Sequence, residues 1–395
     1  MRPPTDWLPE DEDDQLHGSV CIHYQTAYMP NPPMSAARQQ EEMVAAREFI
    51  QTQYDAGVPL FSKDRFRDLV RQIDDCMEKE NQLHPQKISV IGLDGLVVWF
   101  PVETGKEADC NPRREKEFAY VSTKPVLLYR SIENLLSDTR NPNMFSVARA
   151  YLPVEIAHQI EVRNAKTGVP VDLWPIASTE TVRARFEDER RHWEGSECFA
   201  RLKGMFSGVV GGVEIPKGTN KVVGFACSTL TWPWEESDKE EEGRERDASM
   251  AQHALMLAMR DILERAAGDG GEKVEIKCFA QDPIYTPVDE HVLGEVGITV
   301  LDDPRGFIEV DESSVVISVS PNVPVKQIVA DIARPAVIIW DKIEKCDYEK
   351  DPCTDPDSKR VVEMMKEYIE LPFPHKAECF GSVAVYVRKK SARGG

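Results

Sequence analysis

Short apolar segments alternate with helical patterns between residues 221 and 341, and this alternation constrains the fold more than any other feature of the chain. Each apolar segment ends at polar, glycine or proline residues. Such a pattern predicts a parallel α/β sheet, whose ligands bind at the carboxyl ends of the strands. Four strands are predicted, over residues 221–228, 274–280, 315–319 and 336–340.

The intervening segments are typical of helices that pack on a sheet. Apolar residues recur at helical spacing over 249–266. Thr286, followed by Pro287 and Asp289, predicts a capping box at the start of another helix. Pro324 opens a further helix in the same way. The helices and strands together indicate a Rossmann-like core.

Beyond residue 341 the pattern predicts one more helix and a closing strand over 382–387. The helix is marked by Val361, Met364, Met365 and Tyr368. We therefore expect an α/β fold: a Rossmann-like three-layer core, a mostly parallel sheet and a carboxyl-terminal antiparallel edge strand. This is also the layout of class I methyltransferases, although a shared fold does not establish a shared function.

The chain before the core has a different character. Residues 1–35 are acidic and rich in proline, which predicts a disordered tail. An extension with two helices and a β-hairpin is predicted over 36–207, where residues 101–180 have no clear pattern and 181–203 form a charged helix. A glycine-rich segment over 208–212 predicts the junction with the domain over 213–390.

Four segments of the core carry recognisable motifs, over 224–229, 252–255, 282–285 and 293–301. In this order along the chain they resemble the SRR-type domain, a family named for "sensitivity to red light reduced". The resemblance covers roughly residues 218–342. The resemblance implies roles in clock or light signalling, cytoskeletal stress and haem metabolism, without a settled catalytic activity.

Two departures from the family pattern affect the candidate residues. The Gly-x-Gly that usually follows the first strand is Gly224-Phe225-Ala226 here. The family's Pro-His-Cys after a later strand is Ser320-Pro321-Asn322, which resembles the version found in filamentous fungi. The histidine and cysteine of the family pattern therefore have no counterpart at this position.

The charge balance excludes some functions. The chain has 395 residues, with 48 basic and 68 acidic side chains and a net charge of −20. This charge opposes direct binding of nucleic acid and of anionic membranes. Because the chain also has no long apolar run and no signal-peptide pattern, we expect a cytoplasmic protein that also reaches the nucleus. Its nine scattered cysteines have no Cys-x-x-Cys spacing, so no metal site or disulfide framework is predicted.

The candidate ligand site follows from the strand ends. In a doubly wound sheet a glycine after the first strand allows close approach of a ligand, and an acid after the second strand accepts hydrogen bonds from ribose. About twenty residues separate Gly224 from the next helix, which disfavours a dinucleotide-binding loop. The predicted cofactor-binding residues are Gly224, Cys227, Ser228, Gln252, Asp282, Ser320, Asn322 and Asp341.

Structural roles compete with ligand binding at these positions. Asp282 is equally consistent with a turn before Pro283. At Asn322, capping of the next helix is favoured over ligand contact, and at Cys227, apolar packing is favoured over a reactive thiol. Asp289 is expected to cap a helix. A lone histidine such as His253 is expected to be packed or solvated.

Three functional classes stay open. The first is a regulatory protein that senses a small molecule or binds a protein partner, and we favour it. The second is a nucleotide- or S-adenosylmethionine-dependent transferase, for which no catalytic set can be assembled from the sequence. The third is a haem-handling protein, which only the family resemblance suggests, because the chain has no Cys-Pro dipeptide.

Overall fold

In the computed structural model of this protein, the chain forms two compact units. The first comprises Met1–Leu60 and Arg71–Pro175, and the second comprises Phe61–Val70 and Ile176–Gly395. The structure describes residues 24–26, 33–78, 86–108, 116–171, 177–206, 213–231, 248–268, 275–344, 348–350, 352–374 and 380–390. The predicted junction over 208–212 and most of the predicted tail lie outside these residues, so the predicted domain boundaries stay predictions.

The first unit combines helices with two small antiparallel sheets. Strands β1, β5 and β4 form one sheet in that order, and β2 and β3 form the predicted hairpin. The elements are β1 (Tyr24–Thr26), α1 (Ala36–Asp55), α2 (Lys63–Glu78), β2 (Lys87–Ile91), β3 (Val97–Pro101), β4 (Phe118–Tyr129), α3 (Ile132–Asp138) and β5 (Val154–Asn164). Helix α2 begins within the segment that belongs to the second unit.

The long strands β4 and β5 have no counterpart in the sequence prediction. In β5 the buried positions include Glu155 and His158, so apolar and polar residues do not alternate. In β4 the register shifts between Ser122 and Pro125, which interrupts the period of two. Because buried polar residues in β5 and a bulge in β4 break the alternation of apolar and polar residues, a pattern-based prediction misses these strands.

The longer segment of the second unit, from Ile176 onward, starts with two helices, α4 (Thr179–Glu194) and α5 (Glu197–Phe206), where the sequence predicted one. Gly195 is the C-cap residue of α4, and at the start of α5 the hydroxyl of Ser196 accepts a hydrogen bond from the N–H of Phe199. The remaining elements are β6 (Lys221–Phe225), α6 (Ala248–Gly268), β7 (Lys277–Gln281), α7 (Pro287–Glu295), β8 (Ile298–Val300), α8 (Arg305–Glu309), β9 (Ser314–Ser318), α9 (Val325–Ile332), β10 (Val337–Asp341), α10 (Lys359–Met365), β11 (Tyr368–Pro372) and β12 (Val383–Arg388).

Seven strands form the central sheet, in the order β11-β12-β10-β9-β6-β7-β8. The five strands from β10 to β8 are parallel, and β12 pairs antiparallel with both β10 and β11. This confirms the predicted α/β fold with a mostly parallel sheet. The predicted closing strand, β12, lies one position inside the sheet because β11 is added beyond it.

Tyr368 corrects one predicted element. The apolar spacing predicts that it lies on the last helix, but α10 ends at Met365 and Tyr368 begins β11. Its ring is buried and its hydroxyl donates to the carbonyl of Pro335 at 2.8 Å. The helical spacing from Val361 to Tyr368 is therefore shared by a helix and the strand that follows it.

Chain order reverses between β6 and β9. From β6, the chain adds β7 and β8 on one side of the sheet and then β9 and β10 on the other. Loops that leave two such neighbouring strands run in opposite directions and open a crevice at their carboxyl ends. The sheet therefore has its topological switch point beside β6 and β9.

Both sides of the β6 region are packed. On one face, Leu255 of α6 and Phe186 of α4 share a buried core with Val222 of β6. On the other face, the ring of Phe307 in α8 stacks on that of Phe225 with centroids 4.4 Å apart. In the part of the chain that the structure describes, no helix is long and apolar enough to cross a bilayer.

Candidate functional site

Backbone strain is concentrated at the carboxyl ends of β6 and β9. Three non-glycine residues in the described ranges have positive φ angles. They are Ala226, Ser228 and Ser320, with φ values of 54°, 61° and 47°. The left-handed conformation costs about 1–2 kcal/mol for such a residue. Strained backbone of this kind clusters at functional sites, and here it flanks the switch point.

Asp282 joins the ends of β6 and β7. Its carboxylate accepts hydrogen bonds from the backbone N–H of Ser228 at 2.9 Å and of Ile284 at 3.1 Å. Burial raises the pKa of Asp282, whereas these two hydrogen bonds lower it. Asp282 thus does form the turn proposed for it, and it also holds the strained loop after β6.

Asp289 has two structural functions. It completes the predicted capping box of α7, because its Oδ2 accepts from the N–H of Thr286 at 2.7 Å and its own N–H donates to the Thr286 side chain. Its Oδ1 also accepts from the N–H of Leu230, and its Oδ2 from the hydroxyl of Thr229, both at 2.7 Å. The cap is predictable from the sequence, whereas the contact with the loop after β6 has no local sequence signal.

On the other side of the switch point, Ser320 and Asp341 form a matching pair. The N–H of Ser320 donates to Oδ2 of Asp341 at 2.8 Å. Burial raises the pKa of Asp341, whereas the bond from Ser320 and the charge of Lys326 lower it. Asn322 is exposed in the same loop. The predicted residues after β9 and β10 are therefore brought together at this edge.

The start of α9 is capped from a distance. Pro324 occupies the N-cap position and makes no side-chain cap hydrogen bond. Instead, the N–H of Lys326 donates to Oδ1 of Asp355 at 2.9 Å, and the Lys326 ammonium pairs with Asp357 at 2.7 Å. Asp355, rather than Asn322, thus satisfies a backbone amide at this helix start.

Gly224 has a packing function. A Cβ at this position would lie 2.5 Å from Sδ of Met256 in α6 and 3.1 Å from Sγ of Cys227. The Cys227 side chain is fully buried, and burial, together with the charge of Asp282, raises its pKa. Cys227 is therefore a protonated, packed thiol, in agreement with the apolar alternative.

Tertiary structure brings the amino end of α6 to the loop after β6. The hydroxyl of Ser249 donates to the carbonyl of Ser228 at 3.1 Å, although about twenty residues separate the strand from the helix. Residues 232–247 lie outside the described residues. One turn further along α6, Gln252 is 7% exposed, and its Oε1 has no hydrogen-bond partner among the described residues.

His253 is a buried neutral histidine. Its Nδ1 lies 2.7 Å from the Ser249 carbonyl, which can only accept, so Nδ1 carries the proton. Nε2 then accepts from the hydroxyl of Tyr285 at 2.7 Å. Burial lowers the pKa of His253 to about 4, against the Ser249 hydrogen bond and the charge of Asp289, which raise it. This is the packed histidine that the sequence predicted.

The predicted site residues thus fall into two hydrogen-bonded groups at one edge of the sheet, Ser228 with Asp282 and Ser320 with Asp341. Gln252 and the packed residues Gly224 and Cys227 lie beside the first group. Among the described residues, no group of histidine, cysteine and acidic side chains could hold a metal ion. Whether these residues bind a ligand stays a prediction.

The fold and this edge define an α/β protein with a doubly wound sheet. More specifically, the family model of the SRR1 domain matches residues 243–387, from just before α6 into β12. This match agrees with the resemblance to the SRR-type domain seen in the motifs of residues 224–301. Searches of curated proteins and of solved structures found no match.

Proposed function

We propose that this chain is a regulatory protein that senses a small molecule at the carboxyl edge of its central sheet. The observation that carries the proposal is the strained backbone at Ala226, Ser228 and Ser320. These residues flank the switch point, where ligands bind in open α/β sheets. The proposed location is the cytoplasm and also the nucleus. Binding of a protein partner at this edge is the alternative within the same class.

A nucleotide- or S-adenosylmethionine-dependent transferase is the second candidate. The insertion of antiparallel β12 between β10 and β11 favours it, because this strand order is the class I methyltransferase layout. Against it, neither His253 nor Cys227 is available for proton transfer, because both ring nitrogens of His253 are hydrogen-bonded and the Cys227 thiol is buried. Fold analogy alone does not carry an activity.

A thermal-shift screen of nucleotides, S-adenosylmethionine and haem against the full chain tests the proposal. Any compound that raises the melting temperature is then titrated against Asn322→Ala. Asn220→Ala is the matched control, since Asn220 is also exposed but lies at the amino end of β6. We expect Asn322→Ala to weaken binding about ten-fold, as loss of one hydrogen bond would. Equal affinity in both variants would move the site away from the carboxyl edge, and a screen without any hit would favour partner binding.

A further inference from the structure

The hairpin of β2 and β3 leaves one of its backbone edges without a partner. Its ladder includes a hydrogen bond from the N–H of Gly92 to the carbonyl of Leu96. Because bonded and non-bonded pairs alternate in an antiparallel ladder, the N–H and C=O groups of Val97 and Trp99 point away from β2. Within the described residues, β3 pairs with no strand other than β2, and no hydrogen bond engages these four groups.

The opposite edge of the hairpin, along β2, is blocked by a side chain. The N–H of Ser89 donates to Oε1 of Gln72 at 2.7 Å, and Nε2 of Gln72 donates to the Ser89 carbonyl at 3.2 Å. An open strand edge is a template for pairing with another chain, and native proteins commonly cover such edges. Here the edge of β2 is covered at its centre, whereas the edge of β3 is open.

The side chains beside the open edge are apolar and exposed. Trp99 is 57% exposed, Val97 49% and Ile91 42%, and these three residues lie on one face of the hairpin. The hairpin is also neutral: Lys87 and Asp94 are the charged residues in the sequence from 86 to 102, whereas the whole chain has a net charge of −20. Contact between two copies of this hairpin is therefore not opposed by charges within it.

We propose that a second copy of this chain binds at the open edge of β3, as an antiparallel strand related by a twofold axis at Val98. Val97 then lies opposite Trp99 of the second copy, and each such pair exchanges two hydrogen bonds, which satisfies the four outward groups of both copies. Pro101 favours this register, because a register that paired it would lack one N–H donor. Since Gln72 blocks the far edge of each β2, the pairing ends at a dimer.

Sedimentation velocity of the full chain, between about 1 and about 200 μM, tests the proposal, because a contact of this size should be weak. We expect a monomer–dimer equilibrium. A monomer at every concentration would overturn the proposal. Association that continues beyond two copies would overturn it too, because the paired edges leave no site for a third.

Two substitutions at position 97 separate backbone pairing from apolar contact. Val97→Pro removes an outward N–H that the hairpin itself does not use, and it should weaken the dimer about ten-fold or more. Val97→Thr retains the N–H and the β-branched shape, so the dimer should persist. Equal weakening in both variants would assign the association to apolar contact and exclude the proposed hydrogen bonds.

Cysteine cross-linking tests the register without altering the backbone. Val98 should face its own copy across the twofold axis with a Cα separation of about 4.5 Å, which a disulfide can span. Under mild oxidation Val98→Cys should give a dimer linked at position 98, which peptide mass spectrometry would locate. Leu96→Cys is the control: Leu96 is more exposed, at 66%, but should lie about 13 Å along the strands from its copy. Linkage at position 96 as efficient as at position 98 would overturn the pairing.

Discussion

Gly224 illustrates how one residue type can serve different needs. A glycine after the first strand of a doubly wound sheet is expected to let a ligand approach, and the sequence was interpreted in this way. The structure supplies another cause, because the missing side chain makes room for Met256 of α6. The absence of a side chain at position 224 therefore allows α6 to pack closely on the sheet beside the candidate site.

Gly224→Ala should destabilise the protein by about 1–3 kcal/mol, since the added methyl group must displace the Met256 side chain. Urea denaturation followed by circular dichroism measures the change. Gly294→Ala is the control: Gly294 lies in α7 with no atom within 4 Å of the added Cβ, and the same substitution should stabilise this helix by about 0.5–1 kcal/mol. A neutral effect at position 224 would show that Met256 adjusts without cost.

His253 should make stability depend on pH. Its pKa is about 4 in the folded protein and 6.5 in an unfolded chain, so the unfolded state binds more protons between these values. The free energy of unfolding should therefore decrease as the pH falls from about 6.5 to 4, by about 3 kcal/mol at most.

The measurement is the free energy of unfolding as a function of pH. In His253→Gln its slope between pH 4 and 6.5 should be shallower than in the unaltered chain, because unfolding then takes up about one proton fewer. The exposed His291 in α7 is the matched position, and His291→Gln should retain the slope of the unaltered chain. Equal slopes for both variants and the unaltered chain would mean that other groups cause the pH dependence.

Asp289 connects two elements of the sheet edge. The capping box begins α7, and the same carboxylate holds the loop that ends β6, about sixty residues earlier in the chain. The position of α7 and the conformation of the loop are therefore coupled through one buried side chain.

Asp289→Asn should cost about 2–3 kcal/mol, because an amide nitrogen must then face a backbone N–H at either Leu230 or Thr286. Glu290→Gln, one residue further along, also removes a charge from the first turn of α7 but is exposed, so we expect a loss of about 0.3–1 kcal/mol. Chemical denaturation of both variants gives the comparison. If the two losses were equal, Asp289 would act only through its charge at the helix start.

The second unit includes a segment from far earlier in the chain. The ring of Phe66 stacks on that of Phe307 with centroids 5.9 Å apart, and the N–H of Phe61 donates to Asp331 at 3.2 Å. The side chains of Phe61, Phe66 and Phe307 are all buried. The α/β unit is therefore larger than the region that the SRR1 family model matches.

A fragment of residues 177–390 should consequently expose the surface of Phe307 and bind the dye ANS more strongly than the full chain does. In the full chain, Phe66→Ala should cost about 3–5 kcal/mol, as truncation of a buried phenylalanine does. Arg67→Ala changes the neighbouring exposed residue and should cost less than about 0.5 kcal/mol. A fragment as stable as the full chain would show that Phe61–Val70 is dispensable.

Features set by neighbouring residues were predictable from the sequence. The alternation of strands and helices and the capping box at Thr286 are written in patterns of neighbouring residues, and the structure confirms them. The helix after Pro324 also forms as predicted, but its start is capped by the distant Asp355. Prediction from neighbouring residues is wrong where a strand buries polar residues, as in β5. It is also wrong where one helical spacing of apolar residues continues from a helix into a strand, as at Tyr368.

The candidate site depended on tertiary structure. Residues far apart in the sequence pair across it, as Ser228 does with Asp282 and Lys326 with Asp355. A carboxylate in the sequence does not specify which distant amide it will accept from, because that choice follows from strand order and burial. The sequence by itself therefore determined the type of sheet and the edge at which to search, whereas only the folded chain decided which of these side chains cap, pack or stay available to a ligand.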